Sequence, residues 1–127
     1  MADLVLATAD TRLLEIFEAE TNAIEHTLHW ACDGFEAIEL VLRLQPFVLF
    51  LDSPLEVFSA FETAQKLRED PEVDAHLPII YVSDAPEASQ HLDAVGITTD
   101  FPRTHAFEEL QDLLAKYQEM LWDNNAF

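Results

Sequence analysis

Short apolar runs alternate along the chain with longer stretches in which apolar residues recur every three or four positions. The clearest run, Phe47-Val48-Leu49-Phe50-Leu51, leads straight into Asp52. A run without polar alternation predicts a strand buried on both faces, the kind that lies inside a parallel sheet covered by helices. Residues 3–7, 27–32, 77–82 and 97–101 predict four more strands. Between them lie helical patterns. Asp10-Thr11 caps a first helix with Leu13, Leu14, Ile16 and Phe17 inward, and Asp33-Gly34 opens a second with Phe35, Ile38, Val41 and Leu42 inward. Pro46 stops the second helix. Residues 57–68 predict a third, with Phe58, Phe61 and Leu67 as its core face, broken at Glu69-Asp70-Pro71. Pro86 suits the first turn of a short fourth helix that ends at Gly96. Thr104 or His105 precedes a last helix carrying Phe107, Leu110, Leu113, Leu114 and Tyr117. Five strands alternating with five helices predict an α/β chain with a doubly wound, five-stranded parallel sheet. Residues 1–122 form this domain, and residues 123–127, after Trp122, lose periodicity and read as a tail.

Composition narrows the partners more than the fold. The 127 residues are half hydrophobic and include nine Phe, enough for one domain with a sizeable core. No run is long enough to span a membrane, and no charged-then-apolar leader opens the chain. A formal net charge of -19 argues against nucleic acid or an anionic membrane as direct partners, since both would be repelled. The one Cys allows no internal disulfide, which fits the cytoplasm as the expected location.

In a doubly wound sheet the site lies at the carboxyl ends of the strands. That edge brings together Thr8, Ala9, Asp52 and Ser83, and the fifth strand delivers Arg103 to it. Each has a plainer reading. Asp52 can start an Asx-turn into Ser53-Pro54. Arg103 can be a loop arginine or a planar clamp on Asp52. Asp10 is an N-cap before it is a metal ligand. Elsewhere, Cys32 reads as a buried small hydrophobe, and Trp30 and Trp122 as packing residues. His26 and His29 point to opposite faces of a strand and make a poor metal pair. Glu18, Glu20, Glu36 and Glu39 read as solvated helix faces.

Several segments taken together resemble the receiver domain of bacterial response regulators, over nearly the whole chain. Residues 31–38, Ala-Cys-Asp-Gly-Phe-Glu-Ala-Ile, are similar to that family's A-x-D-G-x-E-A segment, and residues 47–52 to its D-L-V-L-L-D strand. Residues 61–70 and Leu77-Pro78-Ile79-Ile80 fall at family spacing from Asp52. The resemblance implies a flavodoxin-like architecture. It places Asp52 where the family accepts phosphate from a histidine kinase, Ser83 at the hydroxyl residue that senses the phosphoryl group, and Arg103 at a lysine that pairs with the aspartate.

Departures from the family pattern fall on the chemistry. Its two adjacent acidic residues, which hold magnesium, correspond to Thr8 and Ala9; only Asp10, one step on, is acidic. The lysine is Arg103, and the proline after it is Thr104. The switch aromatic is Asp100, unless a shift of one residue puts Phe101 there. Glu56 and Ala60 replace a proline and a glycine after the phosphoacceptor, and the segment from Ser83 to Gly96 is short. A hydroxyl and a methyl cannot supply two negative charges to a dication. The expectation is a divergent, stand-alone, non-enzymatic receiver that acts as a protein-interaction module in signal transduction, with no cofactor and no metal site beyond the weak candidates Asp10 and Asp52. The alternative is a working phosphoacceptor, with Asp52 phosphorylated by a histidine kinase using magnesium. Partners would be a histidine kinase or a downstream effector, meeting His91, Thr98, Asp100, Phe101 and the last helix, and a homodimer through that surface is compatible with the reading. A flavin carrier fits poorly, because Ala7-Thr8-Ala9-Asp10-Thr11 has no Gly to cradle a phosphate. A hydrolase fits less well still, since spacing puts no histidine beside Ser83 or Cys32.

Overall fold

A computed structural model of the chain describes residues 2–24, 26–84, 89–103 and 106–125. The elements run β1 (Asp3–Ala7), α1 (Thr11–Ala23), β2 (Thr27–Ala31), α2 (Gly34–Leu44), β3 (Val48–Leu51), α3 (Ala60–Glu69), β4 (Ile79–Ser83), α4 (Ser89–Ala94), β5 (Thr99–Pro102) and α5 (Ala106–Asn125). All strand pairs are parallel, in the order β2-β1-β3-β4-β5. The doubly wound sheet expected from the alternation of patterns is therefore the observed one. Thr104, His105 and Pro86, expected at helix starts, lie outside the described residues. The helix backbone of α5 continues through Trp122 to Asn125, into the stretch read as tail, because nothing in Asp123-Asn124-Asn125 forbids another turn.

β3 explains its own apolar run. Phe50 packs into the core on the α1 and α5 side, with Leu4, Phe17 and Leu110. Leu49 and Leu51 pack into the core on the opposite side, with Val41, Ala64 and Leu67. Side chains alternate between faces along a strand, so burial on both faces needs apolar residues at every position. The Phe50 ring meets Phe17 edge-on at 4.9 Å and Phe101 at 6.4 Å, the arrangement aromatic quadrupoles favour.

Helix starts differ from the apolar pattern in two places. α3 begins at Ala60 rather than near residue 57: the Ser59 hydroxyl accepts from Glu62 N at 3.1 Å while the Glu62 carboxylate accepts from Ser59 N. This capping box was present in the sequence as Ser-x-x-Glu. Val57 cannot be helical, since its φ is 66°. Phe58 accordingly precedes the helix, half-buried, and the inward face of α3 is Ala60, Thr63, Ala64 and Leu67. In α2 the inward face is Gly34, Ala37 and Val41. Phe35, one position round from Gly34, points outward and is 51% exposed, contrary to the inward position expected for it.

Gly34 is required by proximity. A Cβ there would overlap the Phe58 carbonyl oxygen and the Thr63 hydroxyl, so the start of α2 is pressed onto the loop ahead of α3. Gly34 N also donates to the Glu56 carbonyl at 3.2 Å. Arg68 ties the far end of α3 to two loops, donating to the carbonyls of Gly96 (2.9 Å), Ala75 (3.1 Å) and Leu77 (2.6 Å). Three otherwise orphaned carbonyls are satisfied by one guanidinium fork.

At the other end of the sheet His26 is buried, sharing a hydrogen bond with Gln118 Oε1 at 3.1 Å, while its Nδ1 has no partner. Burial holds the imidazole below its ordinary pKa, with the Gln118 bond opposing. A depressed folded-state value means the unfolded chain binds the proton more readily. The stability contributed is complete above the unfolded value of about 6.5 and is lost as pH falls through it. Comparing thermal melts of the parent and His26→Gln between about pH 7.5 and 5 isolates this effect: the parent should lose stability relative to the variant as pH falls. For the packing at Gly34, Gly34→Ala should lower the folding free energy by about 1–3 kcal/mol, measured by urea unfolding with unchanged m-value.

Candidate functional site at the carboxyl edge of the sheet

The strand order reverses between β1 and β3, and their ends meet there. Thr8 N donates to the Ala31 carbonyl at 3.0 Å, and Asp52 N to the Ala7 carbonyl at 2.9 Å. These bonds carry Thr8 and Asp52 one residue past their strands into a buried position, with Asp52 only 2% exposed. A carboxylate so placed needs partners, because removing a charge from water is costly. Asp52 Oδ2 accepts from the Thr8 hydroxyl at 2.6 Å, and Oδ1 accepts from Ser53 N at 2.7 Å. Asp52 Oδ1 also accepts from Arg103 Nη2.

Arg103 gathers the rest of the site. Its Nη1 donates to Asp10 Oδ2 at 2.8 Å and its Nε to Asp84 Oδ1 at 2.8 Å; Nη2 also reaches the Ser53 carbonyl at 3.3 Å. Each of the three guanidinium nitrogens therefore engages a carboxylate from the end of a different strand. Burial by itself would lower the Arg103 pKa, but Asp52 and Asp84 outweigh it and raise the value further. The three arms are unequal. The Asp84 side chain is 82% exposed, so its pairing is screened by water, whereas the Asp52 arm is nearly dry.

Of the alternatives left open by the sequence, the Asx-turn at Asp52 does not form, since its Oδ1 accepts from Ser53 N, one residue on, and Pro54 has no N–H to donate; Arg103 does pair with Asp52. Asp10 does two things: Oδ1 caps α1 through Arg12 N (2.9 Å) and Leu13 N (3.4 Å), while Oδ2 pairs with Arg103. Thr8 is more than a missing charge. Its hydroxyl donates to Asp52 and accepts from Asp10 N at 2.9 Å, using both capacities of the group. Ala9 lies exposed on the loop, and Ser83 is buried at the end of β4. Asp84 was not anticipated; its only sequence signal is an acid directly after a strand that ends at the site edge.

Magnesium requires an octahedral shell of oxygens. Three carboxylates do converge, but on the guanidinium, and Thr8 aims its proton at Asp52. A dication would have to displace Arg103 against like charge. As arranged, the donor set is engaged by the guanidinium.

The remaining candidates separate. His91 and Thr98 are exposed and Asp100 is half-buried. Phe101 is 4% exposed and packs on Phe50, so it belongs to the core rather than to a partner surface. The register that pairs Tyr81 with Asp100 and Val82 with Phe101 turns Phe101 inward, and Asp100 keeps the neighbouring position on the other face. A groove of about 670 Å³ lies along β5 and α5, lined by Thr98, Asp100, Glu109, Asp112, Lys116 and Tyr117 among others. Cys32 is exposed rather than buried, with its thiol donating to Glu36 at 2.8 Å. The Glu36 carboxylate also accepts from Cys32 N, so it does more than face water. Trp30 is half-exposed, its indole N–H bound to the Thr8 carbonyl at 2.9 Å, because β2 is an edge strand. His26 and His29 engage different partners, Gln118 and Asp3. Among the described residues no helix is long and apolar enough to cross a membrane.

No protein-family model and no curated protein matches the chain. Solved structures do. The receiver domain of a sensor histidine kinase from Pseudomonas aeruginosa PAO1, solved with magnesium coordinated in its active-site cleft, superposes with a TM-score of 0.79 at 16% identity, over 91% of this chain and 96% of that one. The signal receiver domain of a DNA-binding response regulator from Colwellia psychrerythraea 34H gives 0.80 at 18%, over 94% and 99%. The chemotaxis protein CheY4 of Vibrio cholerae gives 0.80 at 21%, over 92% and 98%. The chain has the fold of the response-regulator receiver domain, a flavodoxin-like α/β architecture.

If Arg103 is the cation that holds the acids together, Arg103→Gln should lower the folding free energy by about 3 kcal/mol, because buried Asp52 loses its counter-charge. Asp52→Asn should cost less in that background than in the parent. Magnesium should then raise the melting temperature of Arg103→Gln by mass action and leave the parent unchanged. Equal responses in both proteins would mean that the guanidinium does not fill the cation position.

Proposed function

We propose that this chain is a divergent receiver domain that works as a protein-interaction module in signal transduction, with its acidic site closed by its own arginine rather than opened to magnesium. The observation that carries the reading is the three-way pairing of Arg103 with Asp10, Asp52 and Asp84. A receiver that accepts phosphate must leave its aspartate free to attack and must gather positive charge around the incoming phosphoryl oxygens. Here both Asp52 oxygens already accept hydrogen bonds, and the one cation among them is shared by three acids. The site is thereby held in a single charge state that does not depend on an ion or a phosphoryl donor. Partners would be a histidine kinase or a downstream effector, with the groove along β5 and α5, beside exposed Thr98, as the supporting surface.

Incubation with acetyl phosphate and magnesium should leave the intact mass unchanged, and beryllofluoride should not perturb the amide spectrum around Asp52. Gain of one phosphoryl mass, absent in Asp52→Asn, would replace this reading with a working phosphoacceptor that uses magnesium.

A further inference from the structure

One imidazole ties the last helix to the sheet at the amino edge, away from the Asp52 site. His26, 7% exposed, directly precedes β2, and its backbone N–H donates to the Thr21 carbonyl of α1 at 3.1 Å. The ring lies against the Phe47 ring, with centroids 5.1 Å apart. Its Nε2 meets Gln118 Oε1 of α5 at 3.1 Å. An amide oxygen only accepts, so Nε2 carries the proton of the neutral ring. Nδ1 is then a bare acceptor, buried and without a partner. Beside the ring lies a cleft of about 340 Å³, lined by Glu18, Thr21, Asn22, His26, Thr27 and Leu28. Glu18, exposed on α1, is the one acid among these residues.

Protonation reverses the balance at this ring. An imidazolium donates from both nitrogens, and a buried Nδ1–H with no acceptor is the costly case. Among the described residues the other neighbours do not compensate it. Phe47 and Gln118 are neutral, and the charge at the amino terminus opposes a cation. Asp3 shares the opposite face of the sheet with Val5 and Ala7, and pairs there with His29 at 3.0 Å. The relief available is outward, into the cleft, where water and the Glu18 carboxylate accept. A ring that moves there gives up its bond to Gln118. Leu110, Leu114 and Tyr117 keep α5 anchored in the core, so what is released is the turn at Gln118 and not the whole helix.

We propose that His26 is a pH-operated clasp on α5: neutral, it holds the turn at Gln118 against the sheet, and protonated, it moves into the cleft beside Glu18 and lets that turn loosen. Burial holds the clasped imidazole below its ordinary pKa, with the Gln118 bond opposing. The open form therefore binds the proton more readily, and falling pH favours it. The clasp is closed above about pH 6.5, and below that the open population gains at most about tenfold per pH unit. Lys116 and Tyr117, next to Gln118, line the groove along β5 and α5, so an open clasp alters one wall of that groove. The device does not depend on the state of Asp52.

Amide hydrogen exchange of the full chain, read residue by residue as protection factors, tests the clasp. From pH 7.5 to 5.5 the protection of Gln118 and Glu119 should fall by about tenfold, while Leu110 and Leu114 hold theirs. His26→Gln, which keeps an amide in place of the ring, should show no such pH dependence. Gln118→Ala should be loose at Glu119 already at pH 7.5. Glu18→Gln, a change at an exposed position, should move the midpoint to lower pH, because the imidazolium loses its acceptor in the cleft. The proposal is overturned if Leu110 and Leu114 lose protection in the same proportion as Gln118 and Glu119, since acid then acts on the whole fold. It is equally overturned if His26→Gln keeps the pH dependence, or if Glu18→Gln leaves the midpoint where it was.

Discussion

One guanidinium joins three strand ends at the carboxyl edge of this sheet. Arg103 leaves β5 and reaches Asp10 beyond β1, Asp52 beyond β3 and Asp84 beyond β4. A parallel sheet makes this convergence possible, because every strand finishes at the same edge. The buried Asp52 carboxylate makes it necessary. Without Arg103, Thr8 and Ser53 around it, a charge at 2% exposure would be intolerable. Asp10 extends the constraint to α1, since one of its oxygens caps that helix while the other holds the arginine.

A cation supplied by a side chain differs from one supplied by solution. A bound metal exchanges with the medium, and its occupancy follows concentration. Arg103 is covalently part of the chain, and its neighbouring carboxylates raise a pKa that already lies far above neutrality. Under the function proposed, the site would have one resting state, set when the protein folds. Regulation would then lie in which surfaces are presented and to whom. One such surface is the groove along β5 and α5.

Much of the fold was legible because parallel sheets write themselves plainly. The run from Phe47 to Leu51 has to be apolar throughout, since Phe50 fills one layer and Leu49 and Leu51 the other. Strand number, helix number and the edge that carries Asp52 followed from such runs. Helix faces were harder. Phe35 was expected inside because it is large and apolar, yet Gly34 occupies the contact with Phe58, and the small face of α2 goes in. Hydrophobicity alone does not reveal that a neighbouring loop comes too close for a ring. Phe101 erred the other way: register with β4 turned it into the core.

The sequence by itself determined the alternation of elements, the position of Asp52 past a buried strand, the caps at Asp10 and Asp33, and the lack of an acidic pair at Thr8 and Ala9. These are local properties, carried by residues close together along the chain. Only the tertiary structure decided that Arg103 pairs with three acids, that Thr8 donates to Asp52, and that Asp84 joins them. Residues 10, 52, 84 and 103 meet because four strand ends share one edge, and which side chain turns toward which depends on register and loop path. Those are set by packing over the whole sheet, and no spacing rule along the chain encodes them.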